Sequence, residues 1–182
     1  MSFILDSEVN TIFDVPVSKG RLVEFLSDPR SYELYMPGVE SVRLVRTLGT
    51  GKLLYQWELV IQMPLVDPIR LSMSAEYVRY DDPERGHVIN YCTTDESIGN
   101  RMNCNLEFVE TGEETTDVRM DLRIVIHRAS GEELHPLAPI IGQQIIQSQM
   151  KLKMQSIAAN FLQKSVDAIY GVDLDHSPAE VV

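Results

Sequence analysis

The repeat of apolar residues changes its period once along the chain, and this change constrains the fold more than any other feature. After Gly38, apolar and polar residues alternate for about ninety residues, as they do in strands with one buried face. From Pro136 to Tyr170 the period becomes about 3.6, that of an α-helix, and Gly171 follows as a helix stop. We therefore predict a run of strands followed by one helix of about 30 residues, which would be about 45 Å long.

Short turns divide the alternating region. Turn residues occur at Gly49–Gly51, Pro64–Pro68, Asp81–Gly86, Asp95–Asn100 and Thr111–Glu114, which leaves six strands between them. Connections of this length join antiparallel neighbours, because parallel strands need long crossovers. The region is therefore predicted to be an antiparallel meander.

A further strand and two short helices precede the meander. Residues Val9–Val15 alternate and end at a proline, which predicts a strand. Ser18 can cap a short helix that ends at the Asp28-Pro29 step, and a second helix of about two turns fits Arg30–Met36. The predicted fold class is α+β, with a seven-stranded antiparallel sheet curved around a long C-terminal helix and two short helices after the first strand.

The C-terminal helix carries one long apolar stripe. Its members recur at steps of three and four residues and include Ile146, Met150, Met154, Ile157 and Phe161. The apolar face of the sheet is the one predicted partner large enough to cover this stripe. A sheet that curls around a single helix need not fill its interior, so the fold leaves room for a cavity.

Strand register identifies the side chains that face this interior. On the last predicted strand one alternate set is wholly apolar and is placed inside: Val118, Met120, Leu122, Ile124 and Ile126. The corresponding sets on three earlier strands are Tyr55, Trp57, Leu59, Ile61 and Met63; Ile69, Leu71, Met73, Ala75 and Tyr77; and Met102, Cys104, Leu106 and Phe108. The polar inward candidates are Thr11, Tyr55, Trp57, Tyr77 and Asn90.

These inward sets contain no carboxylate and no imidazole, the groups that acid–base catalysis and metal binding most often use. His127 falls on the outward phase, while His87 and His135 fall at turns. We therefore predict no catalytic residue, no metal site and no cofactor, and a binding protein is favoured over an enzyme.

Composition narrows the classes of partner. The chain has 16 Lys and Arg against 27 Asp and Glu, a net charge of −11 that would repel a nucleic acid. It contains no apolar run of the roughly 20 residues that a membrane-spanning helix needs, so stable membrane insertion is not expected. Two cysteines without a disulfide pattern and an N-terminus unlike a secretory signal indicate the cytoplasm.

One domain is predicted over residues 1–172, with an acidic flexible tail over 173–182; the oligomeric state stays open, with a homodimer as one alternative.

The segment SDPRSYELYMPGVESV, residues 27–42, places aromatic residues between two prolines just ahead of a strand. Tyr32, Tyr35 and Met36 are spaced to share one side of the second short helix. They are interpreted either as a rim or lid over the cavity entrance, opposite Ile98–Asn100, or as a hydrophobic plug that closes the end of the core.

Three motifs near the start of the chain resemble those of a known superfamily. Phe13-Asp-Val-Pro16 is followed by LVEFLSDP at 22–29 and by YMPGV at 35–39. These are similar to the openings of polyketide cyclase/dehydrase-like proteins and of carbon monoxide dehydrogenase accessory proteins, both of the START-like (SRPBCC, helix-grip) superfamily. Val15 stands where alanine is usual in that pattern, and Phe25 stands near the place of a frequent tryptophan. The resemblance implies a pocket between sheet and C-terminal helix for lipids, polyketides, hormones or similar apolar molecules.

Three functions remain open at this point. The favoured one is binding or transport of a small hydrophobic molecule, lipid-, polyketide- or isoprenoid-like. The alternatives are a polyketide-type cyclase or dehydratase that acts by positioning its substrate, with Tyr55 or Tyr77 as proton carriers, and an accessory protein for assembly of another enzyme. The predicted ligand-binding residues are Tyr32, Tyr35, Met36, Tyr55, Trp57, Leu59, Met73, Tyr77, Met102, Leu106, Met120, Leu122, Met150, Met154 and Ile157.

Overall fold

The structure is a computed structural model that describes residues 2–49, 51–93 and 99–171. The predicted tail at 173–182, Ile98, Thr50 in one predicted turn and most of the turn Asp95–Asn100 lie outside these residues. The elements are β1 Phe3–Val15, α1 Lys19–Ser27, α2 Pro29–Tyr35, β2 Val39–Thr47, β3 Leu53–Ile61, β4 Ile69–Asp82, β5 Gly86–Thr93, β6 Arg101–Gly112, β7 Thr115–Arg128, a 3₁₀ helix Gly131–Glu133, α3 Ala138–Ile141 and α4 Gln143–Ile169.

The strands form one antiparallel sheet of seven in the order β1-β7-β6-β5-β4-β3-β2. The predicted meander and the predicted fold class are confirmed. β1 returns to pair with β7 along its whole length, from Phe3 opposite Arg128 to Val15 opposite Thr116. β1 starts earlier than Val9, because the buried residues Leu5 and Ser7 continue the alternation toward the N-terminus.

The register of the sheet agrees with the alternation on four strands. The predicted inward set on β7 is buried, as is the set on β4 from Ile69 to Tyr77. On β6, Leu106 pairs with Met120 of β7 and both are buried. One face of the sheet is therefore apolar, and α4 lies against it with Ile146, Met150, Met154, Ile157 and Phe161 buried.

The C-terminal helix is shorter than predicted. It covers Gln143–Ile169, 27 residues, and is separated from the short helix α3 by Gly142. Gly142 has a φ of +89°, which lies outside the right-handed helical region and suits glycine. The period of 3.6 continues across this break, so apolar spacing alone could not locate it. In the described part of the chain, no helix combines the length and apolarity that crossing a membrane requires.

The two short helices are joined at a single capping residue. Asp28 ends α1, and its side chain accepts a hydrogen bond from the amide of Arg30 at 3.0 Å, which caps α2. Pro29 occupies the first position of α2, where a missing amide proton costs nothing. This arrangement fixes α2 across one end of the sheet, next to β2 and α4.

Candidate ligand-binding cavity

A cavity lies between the inner face of the sheet and α4. Residues of β1, β2, β3, β5, β6 and β7 line it on the sheet side, and α1, α2, the α2–β2 connection and α4 line it on the other sides. Its volume is about 100 Å³. An apolar cavity of about 150 Å³ can hold a single benzene ring. In this conformation the cavity is therefore smaller than the space that a single benzene ring occupies elsewhere, and a ring-sized guest requires the wall to move.

Ten of the fifteen predicted site residues border this cavity. They come from α2, the α2–β2 connection, three strands and α4, and are Tyr32, Met36, Trp57, Leu59, Met102, Leu106, Met120, Leu122, Met154 and Ile157. Four of them are methionines, whose unbranched side chains adapt to guests of different shape. The strand register and the helix stripe thus bring side chains from residues 32 to 157 to one place.

The other five lie away from the wall. Met73 and Met150 are fully buried in the surrounding core. Tyr55 and Tyr77 stack edge to face with ring centroids 5.9 Å apart, and Tyr77 borders a separate surface depression near Ser27. Tyr35 is half-buried against Phe25, with ring centroids 5.5 Å apart.

Tyr91 is a cavity residue that the sequence reasoning missed. Asn90 was expected to face inward, and this expectation is wrong, because Asn90 lies opposite Asn105 and hydrogen-bonds Asn103 on the outer face. Tyr91 lies opposite Cys104, and both border the cavity. The strand reads GHVINYCT, with Val88 and Ile89 both buried, so its alternation does not identify a face. The one sequence signal for the orientation of Tyr91 was on β6, where the residues on either side of Cys104, Asn103 and Asn105, are polar.

Tyr32 lies at the centre of an aromatic cluster in the cavity wall. Its ring centroid is 4.9 Å from that of Phe161, 5.4 Å from Trp57 and 5.7 Å from Tyr91. Its side chain is only 4% exposed, and its hydroxyl donates to the carbonyl oxygen of Leu26 at 2.9 Å. Helix α2 therefore contributes an inner wall residue at this position.

The connection from α2 to β2 borders one end of the cavity. Met36, Pro37 and Gly38 line it there, and the amide of Val60 on β3 donates to the carbonyl of Gly38 at 2.7 Å. Gly99 and Asn100, which were expected opposite this segment, do not border the cavity. Asn100 instead accepts a hydrogen bond from Arg128 at 3.1 Å, at the end of β7.

The polar groups of the wall stay neutral near pH 7. Burial raises the pKa of the phenols of Tyr32 and Tyr91, and it raises the pKa of the Cys104 thiol to about 12. Among the lining residues, all within the described ranges, there is no carboxylate, imidazole, ammonium or guanidinium group. The wall can therefore exclude water and bury apolar surface.

No protein-family profile matches this sequence, and no curated protein matches it. Solved structures do match. The Zhui aromatase/cyclase from Streptomyces sp. R1128 superposes with a TM-score of 0.61 at 16% identity, over 90% of this chain and 96% of that chain. A START superfamily protein from Mycobacterium smegmatis gives 0.61 at 15% identity, over 89% and 98%. This chain has the START-like, helix-grip fold.

Human STARD10 has the same START-like architecture at still lower identity. It superposes with a TM-score of 0.65 at 9% identity, over 88% of this chain and 63% of that chain. Identities this low show a shared START-like fold and carry no residue of a reaction across. The chemistry of the cavity has to be argued from the side chains of this chain.

Proposed function

We propose that this protein binds a small hydrophobic molecule in the cavity between the sheet and α4. The observation that carries the proposal is the wall itself, which is lined by apolar and aromatic side chains on every element that borders it. Burying apolar ligand surface yields about 25 cal/mol per Å², so a ring system that buries about 200 Å² gains roughly 5 kcal/mol before the costs of association. By itself this gain corresponds to a dissociation constant of about 0.2 mM, so a guest that is retained through purification must bury more apolar surface than this.

The binding function is favoured over the two alternatives by the contents of the cavity. A cyclase or dehydratase, as the printed name of the Zhui protein suggests, needs a proton carrier, and Tyr55 and Tyr77 lie away from the wall. Tyr91 would take that role, but burial holds the pKa of its phenol far above neutrality. An accessory role in enzyme assembly would suit a filled interior better than one with an open cavity. The two free cysteines suit the reducing cytoplasm, where we expect this carrier or sensor to work.

The first experiment asks whether a small molecule accompanies the protein. Native protein purified from its own cells is extracted with organic solvent, and the extract is identified by mass spectrometry. A hydrophobic compound recovered in stoichiometric amount supports the proposal, and its loss in a cavity-filled variant locates it.

Helix α4 offers a matched pair for that comparison. Ala158 is buried and borders the cavity, while its neighbour Ala159 is exposed. Ala158→Leu should fill the cavity and abolish uptake, whereas Ala159→Leu should leave uptake unchanged. Carbon-13 methyl spectra of methionine supply a second readout, because Met36, Met102, Met120 and Met154 border the cavity and Met73 and Met150 do not. Equal ligand recovery from both variants would contradict a site in this cavity.

A further inference from the structure

The sheet has two edge strands, and the rest of the chain covers them to different extents. β1 and β2 form the edges. α4 lies against β1, where the side-chain amide of Gln147 donates to the carbonyl of Asp6 at 3.3 Å. On β2, the side chain of Glu33 from α2 accepts a hydrogen bond from the amide of Val42. After Val42, no side chain in the described part of the chain hydrogen-bonds the backbone of β2.

We call the uncovered part of β2, Arg43–Thr47, the open edge. All five residues are exposed, and Leu44 and Val45 are 54% and 55% exposed. Successive residues of a strand direct their backbone groups to opposite sides. Val42 directs its amide away from β3, toward Glu33, so Leu44 also directs its N–H and C=O away from β3. An edge strand with unpaired backbone groups is a template for one more strand.

A β-bulge places both arginines of the open edge on the outer face of the sheet. The register of β2 shifts by one residue between Leu44 and Arg46. Arg43 pairs with Gln56 and Arg46 pairs with Leu54, two alternate residues of β3 that share the outer face. Without the extra residue, side chains three positions apart would point to opposite faces. The two guanidinium groups are therefore neighbours along one face.

The open edge is positive on a protein that is strongly acidic. Residues 41–57 contain Arg43, Arg46 and Lys52 and no carboxylate, whereas the whole chain has a net charge of −11. Lys52 forms an ion pair with Glu76 at 3.3 Å, and neither arginine forms one with a described residue. Both guanidinium groups are therefore available to the carboxylates of another segment, which gives the edge its charge complementarity to an acidic strand.

A second copy of this chain is a poorer occupant of the open edge than an acidic segment. Two β2 strands side by side bring four guanidinium groups onto one face, and like charges on neighbouring strands destabilise their pairing. The acidic strand β1 of another copy is already engaged, because Asp6 binds Arg123 at 2.7 Å and its carbonyl accepts from Gln147. Charges and bulges protect edge strands from indiscriminate pairing. Here they disfavour self-association and favour a partner of opposite charge.

We propose that the open edge docks an extended acidic segment of a partner protein, which joins the sheet as an additional strand. The backbone of this segment bonds to the N–H and C=O of Leu44, as in other complexes that extend a sheet at its edge. Two carboxylates at alternate positions face Arg43 and Arg46 on the outer face, and the apolar residue between them lies beside Leu44 on the other face. No residue of the open edge borders the cavity, so this surface is separate from the proposed ligand site.

Three synthetic peptides with blocked ends test this proposal on the full-length protein. The first is TDVDVT, which has the acid–apolar–acid pattern. The second is TNVNVT, which keeps the shape and removes both charges. The third is TDVDVT with N-methyl groups on both aspartates and both valines, which keeps the charges and removes the backbone donors. In nitrogen–proton correlation spectra at low salt, TDVDVT should move the amide peaks of the open edge. TNVNVT should bind about tenfold more weakly, as loss of two exposed ion pairs predicts, and the methylated peptide should not bind.

Arg119 supplies a matched control for the arginines of the open edge. It is exposed on β7, a strand with neighbours on both sides, and its loss changes the net charge by the same amount. Arg46→Gln should weaken TDVDVT binding about threefold, whereas Arg119→Gln should leave it unchanged. Both side chains are exposed, so both variants should fold, and thermal melting verifies this.

Four results would overturn the proposal. Equal binding of TDVDVT and TNVNVT would show that the arginines do not select an acidic strand. Equal binding of the methylated peptide would show attraction by charge alone, without strand pairing. Equal effects of Arg46→Gln and Arg119→Gln would show that the peptide does not dock at the open edge. A dimer in analytical ultracentrifugation that Leu44→Pro abolishes would assign the open edge to a second copy, because proline at an edge position removes only an outward N–H.

Discussion

Gly38 and Val60 are joined backbone to backbone at the edge of the cavity. The amide of Val60 donates to the carbonyl of Gly38 at 2.7 Å, and a Cβ on Gly38 would overlap the carbonyl oxygen of Val60. Gly38 also has a φ of +86°, in the left-handed region. Residues with side chains are strained at such a φ, and here they would also meet immovable backbone.

Gly38→Ala is therefore predicted to lower the free energy of unfolding by roughly 2–4 kcal/mol, from backbone strain and the steric overlap together. Urea unfolding measures this. Gly20→Ala is the control, because Gly20 lies in α1 with open space around its Cβ position, and the change should raise stability by about 0.5–1 kcal/mol. Equal effects of the two substitutions would show that the Gly38–Val60 contact is not tight.

Two buried methionines should differ in what their removal costs. Met73 is surrounded by packed side chains, and Met120 already borders the cavity. We predict that Met73→Ala lowers the free energy of unfolding by roughly 4 kcal/mol and Met120→Ala by roughly 2 kcal/mol, because Met120 has fewer neighbours to lose. Chemical denaturation of both variants at one pH checks the difference. A larger loss for Met120→Ala would mean that the cavity is closed in solution.

Stability should fall as the pH rises above 9. The folded chain raises the pKa of Cys104 from its ordinary value of 9.0 to about 12, and burial also raises the pKa of Tyr32 and Tyr91. Between these values the unfolded chain loses protons that the folded chain keeps, so each group contributes a fall of up to about 1.4 kcal/mol per pH unit. Their contribution is complete below pH 9 and is lost as the pH rises through the folded pKa values. Urea unfolding from pH 8 to 12 should show the decline, and Cys104→Ala should make it shallower between pH 9 and 12. An unchanged slope in that variant would contradict the raised pKa.

The same thiol should resist alkylation in the folded protein. Cys104 faces the cavity, while Cys92 lies opposite Asn103 and so faces the other side of the sheet. At pH 8 very little of Cys104 is thiolate, the form that reacts, so iodoacetamide should leave it unmodified until the chain unfolds. Peptide mass spectrometry after timed labelling distinguishes the two cysteines. Fast modification of Cys104 at this pH would show that the cavity opens readily to water.

The period of the apolar residues and the spacing of the turns were sufficient to predict an antiparallel sheet and most of the residues on its inner face. Residues such as Leu106, Met120 and Leu122 could be placed because a strand with one apolar set has a single register that buries it. Tyr91 could not, since Val88 and Ile89 give its strand apolar residues on both faces. The break at Gly142 was equally hidden, because the apolar spacing continues across it and only the backbone geometry shows its positive φ.

From the sequence, the cavity could be inferred only from the predicted fold, in which a sheet curls around a single helix. Whether side chains fill the space under a curved sheet depends on rotamers such as that of Tyr32, for which the sequence left a lid and a plug as alternatives and whose ring packs on Trp57 and Phe161.

Because β1 pairs with β7, the sheet cannot be completed until β7 has been synthesised. β1 is synthesised long before β7 (Thr115–Arg128), the strand with which it pairs. The inner face of the sheet stays uncovered until α4 has also been synthesised. Contacts between such distant segments form slowly and leave apolar surface exposed in the meantime. A chain that is truncated before α4 would therefore be an aggregation-prone fragment with an uncovered apolar sheet.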